Sequence, residues 1–397
     1  MKSLKPLILN VMLAFKLAFK NLMGAGLRTW LNVGVLSFAF VVIIFYNGMI
    51  DGWNRQARHD TREWEVGAGQ LWHPEYDRYD PYTFEDAHAP LSQDMQAMVN
   101  QNVLVPVLLE QATMYPQGRM QGVVLKGIPA DQQLLSLPTE SLHSTDDGVM
   151  IGKRMARSAR LQMGDRLLVR WRDKHGTFDA RELTIARIFD SNVPSIDNGQ
   201  IWLSLDRLQE MTGKDNEATY LVAAEKYEPK ETGLWEFRDL DFLLADLDAI
   251  IQSKKGGGMI GYILLLIIAL LAIFDTQVLS IFRRQREIGT YIALGMTRWQ
   301  VVKIFTVEGS AHSILAALLA TVYGIPLFLY LDHTGLSFSM AENTDITIAD
   351  TIYPYYSLGL IVSTVILVVV SATVVSYLPA RKITKMKPTD ALKGKLQ

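Results

Sequence analysis

The densest chemistry in this sequence lies between residues 283 and 308, which read RRQREIGTYIALGMTRWQVVKIFTVE. Arg283, Arg284, Arg286, Arg298 and Lys303 stand there against two acids, Glu287 and Glu308. Guanidinium groups this close together, with a carboxylate among them, suit charge-assisted hydrogen bonds across a polar interface. They suit anchoring to anionic lipid headgroups as well. Glu308 and His312 are one helical turn apart, a spacing compatible with a proton relay, a metal pair or a structural hydrogen bond. His73 lies near Glu75 and Asp77, residue types that can bind a metal but more often form solvated surface. There is no cysteine, so thiolate and disulfide chemistry are excluded. No HExxH or GxSxG pattern occurs. The nearest approach to a phosphate-binding loop, GVMIGKR from Gly148 to Arg154, has the wrong spacing and lacks the Ser/Thr that would hold Mg²⁺. We therefore expect no catalytic residue, no metal site and no directly bound cofactor.

What positions the basic stretch is a pair of apolar segments, 259–282 before it and 301–331 after it, each long enough to span a bilayer. Its basic excess marks the cytoplasmic side under the positive-inside rule, and residues 283–300 are expected to form a cytoplasmic loop or short helix. Asp275 interrupts the segment before it. A carboxylate at the bilayer centre costs about 2.5–3.5 kcal/mol, so Asp275 is expected to face a partner helix, water or the loop arginines. Gly324 and Pro326 are expected to kink the segment after it.

The rest of the chain falls into place around this centre. Residues 1–28 carry five bases and no acid, with apolar residues at three- and four-residue spacing. That pattern predicts an amphipathic helix in the cytoplasmic headgroup layer. Residues 29–50 form an uncleaved first span, since no small-residue cleavage pattern closes them. Residues 332–354 contain Asp332, Glu342, Asp345 and Asp350 but no Lys or Arg, which places them outside. Residues 355–378 form a fourth span flanked by Tyr353, Tyr355, Tyr356 and Tyr377, and the tail 379–397 holds six bases against Asp390.

Residues 51–258 differ in kind. Within 51–257 there are 33 acids and 23 bases, and strand and turn signals recur. Residues 165–171 and 181–189 read as a hairpin about a His175-Gly176 turn. Residues 148–151 read as a strand leading into a helix over 153–161 that Gly164 closes. Further strands are expected over 103–109, 122–128, 200–203 and 219–223, with Ser204 capping the helix after the third. An amphipathic helix is expected over 239–252, followed at Lys254–Gly258 by a flexible joint, because each glycine costs about 1 kcal/mol in a helix. The overall balance of 49% hydrophobic and 20% charged residues fits this division into spanning helices and one water-exposed domain. The expected fold is thus an α-helical membrane protein with four transmembrane helices and an α+β extracytoplasmic domain between the first two.

The ordering of the basic stretch carries a resemblance. Arg286, Glu287, Ile288, Gly289, Ala293, Leu294, Gly295 and Glu308 match the pattern RREREIGxxRALGAxxxxIxxxxxxE found in ABC-transporter permeases of the MacB/FtsX/LolC–LolE superfamily. Pro379-Ala380-Arg381 followed by Pro388-Thr389-Asp390-Ala391-Leu392 resembles the closing P-A-R…P-x-x-A-L signature of those proteins. Residues 151–165 with the following hairpin resemble their periplasmic core, and residues 188–209 look closest to lipoprotein-releasing (LolC/LolE-type) members. Ile292, Met296 and Asp275 depart from the usual pattern. The resemblance implies a permease subunit of the inner membrane with both termini cytoplasmic and a periplasmic MacB-like domain. It implies docking of a separate ATPase, which would hold ATP and Mg²⁺, through Arg283, Arg284, Arg286, Glu287, Ile288, Gly289, Ala293, Leu294, Gly295 and Arg298. Asp275 and Glu308 would serve transmission, and Pro379, Arg381 and Pro388 would mark the cytoplasmic tail. A second permease chain, identical or not, and a periplasmic or outer-membrane partner or lipoprotein are also implied; nucleic acid is not. The alternative is an FtsX-like signalling subunit that activates a cell-envelope hydrolase, and a membrane-anchored binding domain without an ATPase is a third reading.

Overall fold

The computed structural model describes residues 27–143, 147–230, 233–337 and 351–385. The amphipathic helix expected over 1–28 and Pro388 lie outside these residues, apart from positions 27 and 28. The described residues form two compact units, one comprising Asn54–Ile250 with Ser337 and Thr351, the other built from the remaining segments.

The long helices are α1 (Leu27–Thr61), α2 (Ala245–Arg283), α4 (Arg298–Thr334) and α5 (Leu358–Ala380), with the short α3 (Gln285–Ala293) between α2 and α4. The four long ones have the length and apolarity to cross a membrane. Their shared core joins Leu36 and Phe40 of α1, Ala269 and Ile273 of α2, Ala316 and Ala320 of α4, and Val368 and Ala372 of α5. Small residues at these crossings let backbones approach, which is how helices associate where no hydrophobic driving force separates them from lipid. Asn32 of α1 donates to the Ala272 carbonyl of α2 at 3.2 Å and to Thr276.

Several helix limits differ from expectation. α1 continues to Thr61 because residues 51–61 contain no proline and a single glycine, Gly52. A side chain at Gly52 would overlap the Tyr353 carbonyl, so glycine there allows close packing rather than a stop. The joint expected at Lys254–Gly258 is helical, inside α2. The Tyr46 ring fills the place a Gly258 side chain would take, and the Tyr46 hydroxyl donates to the Lys254 carbonyl at 2.8 Å. Packing supplied from α1 thus offsets the low helix propensity of glycine. The helix expected over 239–252 is split into a turn at Leu240–Leu243, capped by Asp239, and the start of α2. α4 runs through Gly324 and Pro326 as one continuous element.

The strand-rich unit contains β1 (Gly69–Trp72), β2 (Leu104–Met114), β3 (Gln121–Ile128), β4 (Gly148–Gly152), β5 (Arg166–Arg172), β6 (Phe178–Phe189), β7 (Gln200–Ser204), β8 (Tyr220–Ala223) and β9 (Glu236–Arg238). They form one mixed sheet in the order β9-β1-β8-β2-β3-β7-β4-β6-β5. β2 also pairs with β5, Ala112 to Met114 against Trp171 to Val169, which closes six strands into a ring. Two pairings in the ring, β3–β7 and β4–β6, are parallel; the others are antiparallel. β5 alternates exposed and buried residues along its whole length, so Leu167, Val169 and Trp171 fill the ring. Val149, Ile151, Leu183, Ile185, Ile201 and Leu203 complete that core. The helix after β4 ends at Ala159, with Arg160 rather than Gly164 in the left-handed conformation. Gly164 serves the turn into β5 instead, at φ 90°. Ser204 caps the helix Leu205–Thr212 as its position before an apolar-periodic run predicts, accepting from Arg207 N–H at 3.3 Å.

Candidate functional site

The basic stretch folds as a helix and a tight turn held against the ends of α4 and α5. α2 stops at Arg283, and Arg284 leaves the helical conformation with φ −102° before α3 begins. α3 ends at Ala293 with Leu294 as its C-cap, and the following Gly295 takes φ 93°, a conformation only glycine adopts without strain. Thr297 then starts α4 with a capping box: its hydroxyl accepts from Gln300 N–H, and the Gln300 side chain accepts from Thr297 N–H at 2.8 Å. A small apolar core fastens this arrangement, with Ile281, Ile288, Val301, Phe305, Ala380 and Ile383 all buried. Gly289 is buried within α3, and only Gly295 turns the chain.

Arg284 is the electrostatic centre. Its Nη1 donates to both carboxylate oxygens of Glu308, at 2.9 and 2.8 Å, and its Nε donates to Glu287 at 2.6 Å. The guanidinium also lies 4.9 Å from the centre of the Phe305 ring. Only about a tenth of the Glu308 side chain and a fifth of the Arg284 side chain are exposed, so this pair fixes α3 to α4 rather than waiting for an external partner. A pair so enclosed is costly to break from one side, because the remaining charge stays buried. His312 does not reach the Glu308 carboxylate. Its Nδ1 contacts the carbonyls of Glu308 and Gly309 at 3.1 and 3.3 Å, the structural hydrogen bond among the readings of that spacing.

The other residues of the stretch point outward. Arg283, Arg286, Glu287, Ala293, Leu294, Gly295 and Arg298 are exposed, Leu294 by 78% and the neighbouring Trp299 by 55%. Arg298 donates to the Thr384 carbonyl at 2.9 Å, tying the start of α4 to the turn after α5. Arg283 and Arg286 make no ion pair among the described residues. In the tail, Pro379 is buried in the last turn of α5 and Arg381 is exposed. Asp275 is exposed on α2 and is paired with none of the described arginines, so the loop does not neutralise it.

Sequence reasoning missed several residues that build this site. Gln277 is buried on α2, and Gly309 of α4 packs where a side chain would overlap Ser376 of α5. Phe305 and Ile383 were visible only as apolar residues in basic surroundings. The histidine cluster does not form: His73 is buried edge-on against Trp235 while Glu75 and Asp77 are exposed. Burial lowers the His73 pKa from its ordinary value. Among the described residues no group of three metal-ligating side chains converges.

Residues 259–388 match the profile of the FtsX-like permease C-terminal domain. The matched region contains α3, its Arg284–Glu308 clamp and α5. Together with weak similarity to MacB, this match supports the MacB/FtsX superfamily. A 159-residue stretch is 24% identical to the macrolide export ATP-binding/permease protein MacB of Burkholderia cenocepacia (strain HI2424), covering 38% of this chain and 21% of that protein. The MacB of Burkholderia thailandensis is 26% identical over 159 residues, covering 38% and 22%. The alignment therefore spans about a fifth of the length of these curated relatives, whose name includes an ATP-binding function. The crystal structure of the extracellular domain of YknZ, a noncanonic ABC-type transporter from Gram-positive bacteria, overlays with a TM-score of 0.27 at 14% identity, covering 46% of this chain and 94% of that one.

Proposed function

We propose that this chain is the permease subunit of an ABC transporter of the inner membrane, driven by a separate cytoplasmic ATPase that holds ATP and Mg²⁺. Both termini are cytoplasmic and the strand-rich unit is periplasmic, the orientation favoured by the basic residues of the loop and tail. Two permease chains, identical or different, act together. Closure of the ATPase dimer moves α3, and the clamp of Arg284 on Glu308 makes α2 and α4 move with it. The work is delivered outside the membrane, to lipoprotein release or to export of another amphiphile, in the manner of LolC/LolE-type permeases. The observation that carries this reading is the division of labour in the basic stretch. Arg284, Ile288 and Glu308 are enclosed and stiffen it, while Arg283, Arg286, Glu287, Leu294 and Trp299 are exposed. Lipid anchoring alone does not call for that internal bracing.

The test is purification of the full chain from its native membranes in mild detergent. A stoichiometric ATPase should accompany it, and Glu287→Lys or Arg286→Glu should reduce ATPase recovery about tenfold, the effect of about 1.4 kcal/mol at the interface. Failure to recover any ATPase from wild type would reject the permease reading. Full recovery with both variants would move the docking site elsewhere.

A further inference from the structure

At the Met114 end of β2, exposed apolar residues lie beside it on both sides, Met120 next to β3 and Leu168 on β5. Pairing register places a row of apolar side chains there. Continuing the registers of Met114 with Gln121 and with Val169 by one residue puts Tyr115 between Met120 and Leu168, and Tyr115 N–H donates to the Leu168 carbonyl at 3.0 Å. Met120 is 77% exposed and Leu168 43% exposed, and Tyr115 is half-buried between them.

Arginines flank the row. Arg170, two residues along β5 on the same face, has its guanidinium 4.0 Å from the centre of the exposed Phe178 ring, and Arg119 is exposed beside Met120. Neither makes an ion pair among the described residues, in a segment with ten more acids than bases. The loop that presents Met120 contains Gln117 at φ 50°, and the Gln117 side chain reaches the carbonyl of Arg160, itself at φ 55°. Two non-glycine residues in the left-handed region, in contact with each other, give this rim a fixed shape at an energetic cost.

We propose that this wall of β2, β3 and β5 is a docking surface for an acidic amphipathic helix of a partner protein. Three adjacent strands span two inter-strand spacings, roughly 10 Å, which matches the diameter of one helix. Methionine adapts to varied apolar partners, and uncompensated arginines beside it select acidic flanks. The proposal is independent of whether the chain serves transport or signalling.

The probe is a fluorescent Leu/Glu amphipathic helical peptide, titrated against the full chain in phosphatidylcholine nanodiscs and read by anisotropy. Saturable binding is expected. Arg170→Glu and Met120→Glu should each weaken it about tenfold, while Tyr82→Ser, at another exposed aromatic, leaves it unchanged. A Leu/Lys peptide of the same pattern should not bind. The proposal fails if the Leu/Glu peptide does not bind, if the Leu/Lys peptide binds equally, if the two wall variants bind like wild type, or if phosphatidylglycerol vesicles displace the peptide. That last result would mark an anionic-lipid surface instead. All three substitutions are at exposed positions, and matched thermal unfolding of the variants verifies that the fold is intact. Recovery of the ATPase is measured separately and does not depend on this wall.

Discussion

Asp197 caps a helix from which it is remote in sequence: its Oδ1 accepts from Arg154 N–H at 3.2 Å, at the start of the helix Lys153–Ala159. The residue in the N-cap position, Gly152, has no side chain to do this, and a side chain there would overlap Asp197. The turn that carries Asp197 is thereby pinned to the end of β4. Gly152→Ala should displace it and destabilise the strand-rich unit by about 1–3 kcal/mol, the range for overpacking. Denaturant unfolding monitored by tryptophan fluorescence reads this directly, and an unchanged midpoint would mean the turn simply moves aside.

The same carboxyl makes stability depend on pH. Burial raises the Asp197 pKa to about 6 from an ordinary 3.8, against the opposing pull of the Arg154 N–H and guanidinium. Between those values the folded unit binds a proton that the unfolded chain does not. Stability from this group therefore rises as pH falls from about 7 toward 4, by roughly 1–2 kcal/mol after allowance for solvent screening. Asp197→Asn should remove that slope. Because other carboxylates titrate too, the quantity to compare is the difference between wild type and variant at pH 7.5 and pH 5.

Breaking the clamp from one side should be expensive. Arg284→Met leaves Glu308 enclosed without its partner, and Glu308→Gln leaves the guanidinium with Glu287 alone. Each is expected to cost about 2–3 kcal/mol. At roughly 2–4 °C per kcal/mol this appears as a clear fall in the thermal midpoint in detergent. If the pair were a surface contact, the shift would stay within about 1 kcal/mol.

The packing of Tyr46 on Gly258 makes a reciprocal prediction. Gly258→Val should force α1 and α2 apart where the ring now sits and lower the thermal midpoint. Adding Tyr46→Ala should restore part of the loss by making room, even though Tyr46→Ala alone removes the hydrogen bond to the Lys254 carbonyl. Additive losses would show that the two residues are not coupled.

What the sequence made legible was local. The hairpin of β5 and β6 announced itself because two strand-like runs flank the His175-Gly176 turn, and the helix after Ser204 because a hydroxyl preceded an apolar-periodic run. The basic stretch was visible as charge and order. Which arginine turned inward was not, because the choice of Arg284 depends on Glu308 and Phe305 arriving from a different helix. Lys254–Gly258 misled for the same reason: propensity argues for a break, and a tyrosine from α1 decides against it. The closure of β2 on β5 left no trace in either segment, since each strand's alternation is satisfied by whichever neighbour lies beside it.

That closure bears on how the protein is made. The ring needs β7, so Gln121–Ile128 must wait through the synthesis of β4, β5 and β6 before its last neighbour exists, and Leu104–Met114 pairs with β8 later still. Pairings between strands so far apart in the chain form slowly. A nascent chain halted after the β5–β6 hairpin would hold Val123, Leu125, Val149 and Ile151 with no interior to fill. In that interval the protein would rely on chaperoning, and synthesis speed, more than final stability, would set its yield.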